Sequence, residues 1–292
     1  LPSGRDFYSK SKLKSRYTRE DILQGKIIKL NPALVTLTDG LIGLMPPRLL
    51  QEEIMRQVEQ ILEHGKVYTF HVDLNYGDYK GFGHKRPEVN TSIFTPAFLQ
   101  ELDKLVRSYG CLLNLHLLTS QPYRQLLRFS HIDLGAVCFQ LDAIPNRDKL
   151  VKLIRRILDL DACASPVIET IGSENLIPKP PEQVWEMLKP ILPEIGMLTF
   201  QLAGTASRSN MPEGSLQIEP AKSYINHVKD AFTGTIQIQG GITVQTIREA
   251  IALGAEFLVC GTQLFHNPDK LTPIETIDLV LLEASKQLTG AN

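Results

Sequence analysis

RLLQEEIMRQVEQILEHGKVYTFHVDL, residues 48–74, carries two periodicities back to back. From Leu49 to Leu62 apolar residues return every three or four positions, as one buried helix face requires. Gly65 is a stop signal, and the run from Val67 to Leu74 then has the length and β-branched or aromatic character of a buried strand. The same unit recurs outward in both directions. Strand-like runs are KIIKLNPALVTL, KVYTFHVDL, CLLNLHLL, GAVCFQL, SPVIETI, GMLTFQLAG, GTIQIQGG and AEFLVCGT. Helix-like stretches separate them, among them TPAFLQELDKLVRSYG, NRDKLVKLIRRILDL, KPPEQVWEMLKPI, EPAKSYINHVKDAF, TVQTIREAIALG and TPIETIDLVLLEASKQL. Strict alternation predicts a parallel sheet with right-handed crossovers, and eight strands are the number that closes it. The expected fold is an α/β (β/α)8 TIM barrel.

Composition agrees with one domain. The chain has 292 residues, 43% of them hydrophobic, and no Gly/Ser/Pro-rich linker divides it. Residues 26–292 are read as the barrel and residues 1–25 as a basic, polar arm without the apolar core of a signal peptide. A net charge of −1 offers no basic field for a nucleic acid, and no apolar run is long enough to span a bilayer. Four cysteines, Cys111, Cys138, Cys163 and Cys260, form no CxxC pair. The first, second and fourth sit in or beside apolar runs, where a reduced buried thiol is expected; a cytoplasmic location follows as an expectation.

Chemistry is expected at the C-terminal ends of the strands. His71 and Asp73 close the second strand and, two residues apart, share a face. They read either as metal ligands and base or as a buried structural pair. His116 ends the third strand; alone it reads as a core histidine, and with its neighbours as the third member of a ligand patch for Zn2+, Fe2+ or Mn2+. Gln239-Gly240-Gly241 ends the seventh strand and Gly261-Thr262 follows the eighth. Glycines there either turn the chain or admit an anion to bare backbone N–H groups, and the loops after strands seven and eight are where barrels cradle phosphate. Two long connections, residues 75–94 and 205–218, are candidate lids.

With these residues in view the chain resembles the ribulose-phosphate 3-epimerases over roughly residues 26–266. HVD at 71–73, HLL at 116–118, GGI at 240–242 and GAEFLVCGTQLF at 254–265 carry the likeness, with PALV at 32–35 and FQLDA at 139–143. The resemblance implies a ribulose-phosphate-binding barrel and a phosphorylated sugar as partner, and the habits of the fold lead us to expect a homo-oligomer. It also implies a divalent metal on His71, Asp73 and His116, with Asp73 one of two carboxylates that move a proton between opposite faces of the substrate. The second carboxylate is expected where Gln239 stands, and an amide neither exchanges a proton near neutral pH nor ligates a metal well. Ala33, Gln140, Asn75, Leu118 and Gln201 depart from the family pattern too. The metal is therefore expected to be weakened by Gln239, which joins Gly240, Gly241, Gly261 and Thr262 as a candidate substrate contact. Three functions follow: an epimerase with a replacement acid among Asp142, Glu169 and His84, an isomerase or lyase using Asp73 alone, or a phosphosugar binder without turnover.

Overall fold

A computed structural model describes residues 28–38, 41–79, 89–171, 176–202, 218–267 and 269–289. The arm at 1–25, His84, residues 80–88 of the first candidate lid and all of the second but Ile218 lie outside these residues.

Eight parallel strands form one sheet in the order β1-β8-β7-β6-β5-β4-β3-β2. They are β1 (Lys29–Pro32), β2 (Thr69–Asn75), β3 (Leu112–Leu118), β4 (Leu134–Gln140), β5 (Cys163–Glu169), β6 (Met197–Gln201), β7 (Thr235–Gln239) and β8 (Phe257–Cys260). The ends of the sheet meet where Ala33 bridges His71, so the sheet closes beside the residues expected to carry the chemistry.

Helices run between the strands as the periodicity requires. The longer ones are α1 (Pro47–His64), α2 (Pro96–Ser108), α3 (Arg147–Leu158) and α4 (Pro181–Leu188), then α5 (Ile218–Val228), α6 (Ile247–Ala252) and α7 (Pro273–Thr289). In α1, Leu50, Ile54, Val58, Ile61 and Leu62 are buried, and Gly65 ends the helix at φ 74°, a left-handed value that suits glycine. Thr95 and Asn146 cap α2 and α3 through their side-chain oxygens. Short helical turns at Pro122–Leu126 and Thr262–Phe265 follow β3 and β8, too brief to show a period.

Two strands differ in extent from the sequence expectation. The first run was expected to stay extended to Leu37, but it ends at Pro32 and Leu34–Thr38 forms a 3-10 turn. Thr36 and Thr38 donate their hydroxyls to the carbonyls of Ala33 and Val35, satisfying locally what a strand would have satisfied across the sheet. The fifth strand begins earlier, at Cys163, which is buried like the other three free cysteines.

The core is double. Outward-facing strand residues such as Phe70, Val72, Leu113, Leu115, Phe139, Ile168 and Phe200 pack against the helices. Each such side chain contributes about 1.5–3 kcal/mol when buried. Inside the barrel a small apolar layer of Ala136, Cys163, Met197 and Phe257 seals the N-terminal end. Lys29 joins it with Nζ 4.8 Å from the Phe257 ring centroid. Above this lies a polar layer: Asn31 donates to Gln237, Gln237 donates to Thr199, and Thr199 shares a hydrogen bond with Ser165. The interior thus grows more polar toward the mouth.

Candidate active site

β2 and β3 pair with Asp73 opposite His116 and His71 opposite Asn114. Alternation turns His71, Asp73 and His116 inward, where they are 0%, 6% and 1% exposed. His116 Nδ1 is 2.8 Å from Asp73 Oδ1, His71 Nε2 is 3.2 Å from the same oxygen, and the two ring nitrogens are 3.4 Å apart. Three ligand atoms therefore converge on one point. Bonds of about 2.0–2.2 Å to a divalent ion would place neighbouring ligand atoms about 3 Å apart, so the triangle fits such an ion. The donor set of two imidazoles and a carboxylate suits Zn2+, Fe2+ or Mn2+.

Burial alone would push the Asp73 carboxyl up. The facing charges and hydrogen bonds of His71 and His116 outweigh it and hold Asp73 well below the usual carboxylate range. Asp73 is an anion at neutral pH, as both a ligand and a general base require.

Neighbouring strands orient this cluster. Gln140, ending β4, brings Nε2 to 3.3 Å from His116 Nε2, while its buried Oε1 has no hydrogen-bond partner among the described residues. The two amide orientations match two states of the ring. With Nε2 donating, His116 presents its Nδ1–H to Asp73; with Oε1 accepting, the proton sits on Nε2 and Nδ1 is left for a metal. Asn90 clamps the end of β2: Nδ2 donates to the Asp73 carbonyl at 2.7 Å and Oδ1 accepts from the Asn75 N–H at 2.9 Å. Sequence reading missed Asn90, whose only signal is a turn-forming residue inside a long connection.

The opposite side is built of amides. Gln239 ends β7 in register with Gln201 on β6 and donates its amide to the Gln201 oxygen. Gln239 Oε1 is buried with no hydrogen-bond partner among the described residues. Gly240 and Gly241 follow at φ 86° and 75°, left-handed values that a side chain would strain. Gly261 is glycine for another reason. A Cβ there would lie 2.6 Å from Thr36 Cγ2 and 3.2 Å from Ala33 Cβ, so it lets β8 pack against the 3-10 turn. Thr262 is exposed at the start of the short helix after β8.

Of the replacement acids considered, Asp142 is bound to Lys179 at 2.6 Å. It lines a cavity of about 520 Å3 behind β3 and β4, with Tyr79, Tyr123, Lys149 and Leu176 also on its wall. None of the three ligand residues lines this cavity, and Tyr79, which does, packs on Leu118. Glu169 is different: it ends β5, 2% exposed, on the inner face.

A closed eight-stranded barrel with a His–Asp–His cluster at the C-terminal ends of β2 and β3 defines a metal-competent barrel of the ribulose-phosphate-binding type. Residues 49–265 match the ribulose-phosphate 3 epimerase family, and the chain belongs to it.

Its relatives are distant. The ribulose-phosphate 3-epimerase of Methanocaldococcus jannaschii is 24% identical over 238 residues, covering 80% of this chain and 86% of that enzyme. That of Candida glabrata is 26% identical over 173 residues, 59% of this chain and 62% of the relative. Solved structures share the fold at lower identity. Mycobacterium tuberculosis tryptophan synthase superposes with TM-score 0.57 at 11% identity, covering 93% of this chain and 95% of that one. Salmonella typhimurium 3-hexulose-6-phosphate synthase gives TM-score 0.55 at 11% identity, covering 83% and 95%.

Proposed function

We propose that this protein binds a phosphorylated ketose in the barrel mouth and uses Asp73 to remove a proton from the carbon beside its carbonyl. The observation that carries this is the convergence of His71 Nε2, Asp73 Oδ1 and His116 Nδ1 within 3.4 Å of one another. Three ligands of this kind would hold a divalent metal, Zn2+, Fe2+ or Mn2+, whose chemistry is to polarise the substrate carbonyl and ease loss of the adjacent proton. Asp73, an anion by virtue of its two histidines, takes that proton. Gln140 fixes the His116 ring and Asn90 fixes the β2 backbone, so the base is held before substrate arrives.

The phosphate is assigned to the other side, at the backbone of Gly240 and Gly241 and at Gly261-Thr262. Loops after β7 and β8 are the fold's usual phosphate cradle. Gln239 contributes an uncharged contact to the sugar.

A second reading, phosphosugar binding without turnover, is favoured by one observation: Gln239, with no proton to give, stands where the family resemblance expects an acid. Proton exchange separates the two. Ribulose 5-phosphate is incubated with the protein in D2O, with and without Zn2+, Mn2+ or Fe2+, and C3 is followed by NMR. Metal-dependent deuterium uptake is expected. Binding without uptake would leave the second reading, and absence of binding would remove both.

A further inference from the structure

One buried acid on the inner face has no part in the site so far. Along β5, Cys163 joins the interior apolar layer, Ser165 bonds to Thr199, and Ile168 packs outward with the helix-facing core. Period-two alternation therefore turns Glu169 toward the barrel axis with Ser165. Register then links Glu169 to Gln201 on β6 and Gln201 to Gln239 on β7. One row across the mouth reads carboxylate, amide, amide.

The position of that carboxylate follows from closure. Around the ring β5 and β7 each stand three strands from β2, one on either side. In a barrel of this shear, register slips by about one residue for each strand, so alternate strands share layers. Counting from Ala33 against His71, Asp73 shares its layer with Gln140 and Gln201. Gln239 comes just below that layer and Glu169 just above it, nearer the mouth. An acid at Glu169 faces Asp73 across the same space as one at Gln239 would.

A second observation agrees. Burial drives the Tyr79 hydroxyl far above its ordinary range, and the charges of Glu169 and Asp142 add to it. Tyr79 lines the cavity with Asp142 and Leu176, so the end of β5 that carries Glu169 lies near that wall. Asp142 is committed to Lys179.

We propose that Glu169 is the second proton-transfer residue of this site, acting on the face of the substrate carbon opposite Asp73. The inference rests on Asp73 being the base. Asp73 carboxylate takes the proton; the C–H pair becomes the new C=C bond and the carbonyl pair moves onto oxygen. When the carbonyl re-forms, the C=C pair takes a proton from the Glu169 carboxylic acid on the other face. The carbon is inverted, Asp73 is left protonated and Glu169 ionised. The reverse turnover, or exchange with water, resets both.

Wild type, Glu169→Gln and Glu169→Asp are compared in D2O with Mn2+ and ribulose 5-phosphate, following both C3 epimers by NMR. Wild type is expected to take up deuterium with inversion. Glu169→Gln should keep uptake within a few-fold while inversion falls roughly 10²–10⁴-fold, and Glu169→Asp should recover part of it. Manganese affinity by calorimetry should be unchanged, which separates loss of an acid from damage to the metal ligands. Inversion at the wild-type rate in Glu169→Gln, or wild-type uptake without inversion, overturns the role of Glu169 and leaves the Asp73 reading standing. Absence of uptake in the wild type with every metal overturns the Asp73 reading and this one with it. If Glu169→Gln does not fold, Glu169→Asp decides: its shorter arm must slow inversion more than uptake.

Discussion

On β2, β3 and β4 the barrel mouth carries His71, Asp73, His116 and Gln140, joined by contacts of 2.8–3.4 Å around one point. On β6 and β7 it carries Gln201 and Gln239, two amides joined to each other. One side concentrates ligand atoms and negative charge; the other offers neutral donors and acceptors and then two glycines. A charged cluster stays buried only when its members satisfy one another. On the first side both imidazoles face the Asp73 carboxylate, while His71 Nδ1 and Gln140 Oε1 have no hydrogen-bond partner among the described residues. The amide side offers neutral donors and acceptors, with no group among Gln201 and Gln239 that exchanges a proton near neutral pH.

The strongest way to break this contrast is to neutralise the ligand side. Asp73→Asn should abolish metal-dependent deuterium uptake, a loss of about 10³-fold or more, and should leave manganese undetectable by calorimetry at micromolar protein. Acid melts give the same residue a second test. Because the carboxyl is held below its unfolded value, the stability its ionised form contributes is fully present above about pH 4. It is lost as pH falls through the folded value. The stability difference between wild type and Asp73→Asn, measured without metal by denaturant titration, should therefore shrink in acid.

Gln140→Leu tests whether orientation of His116 matters as much as its presence. Removing the partner of a metal-binding histidine should weaken metal binding by roughly 10–100-fold, read by competition with a chelating dye. An unchanged affinity would mean that Asp73 alone orients the ring. Gln239→Asp pushes the opposite way and makes the two sides more alike. It should raise metal affinity roughly tenfold, the size of neighbouring-group effects at metal sites. No gain would show that an acid at position 239 does not reach the ligands and that the surrounding pocket has diverged beyond a single change.

Smaller effects are expected at the seam. Gly261→Ala forces a Cβ against Thr36 and Ala33 and should cost about 1–3 kcal/mol of stability, seen as a lower Tm with metal affinity kept. Smallest of all is the response of the thiols. Burial pushes Cys111 and Cys138 up to about 11 and Cys260 up to about 12. A thiol of that kind is ionised to only about one part in a thousand or less at pH 8. A thiol reagent should therefore label none of these three before the protein unfolds; fast labelling of Cys138 would show that the interior below His116 opens to solvent.

Much of this was legible in the chain. Alternating periods gave the eight strands, and the residues at strand ends included all three members of the ligand triangle. The helical turns after β3 and β8 were not legible, because four or five residues cannot show a period. Pro32 and the hydroxyls of Thr36 and Thr38 ended β1 earlier than its apolar content implied. Asn90 was hidden because its partners, the Asp73 carbonyl and the Asn75 N–H, lie in a different part of the chain.

By itself the sequence determined the periodic pattern, hence the barrel, and the chemistry available at each strand end, including the absence of an acid at position 239. Those are local properties, written in spacing and residue type. Which side chains meet was decided by the registers between strands and by closure of the sheet. Ala33 reaching His71 closes the ring, and the register of each pair sets the stagger within it. That stagger brings His71 and His116 onto one carboxylate oxygen, sets Gln140 against His116, and lifts Glu169 above the layer of Asp73. The reason is geometric: a register shift of one residue turns a side chain from the axis to the helices, and only the closed ring sums eight such registers into one arrangement.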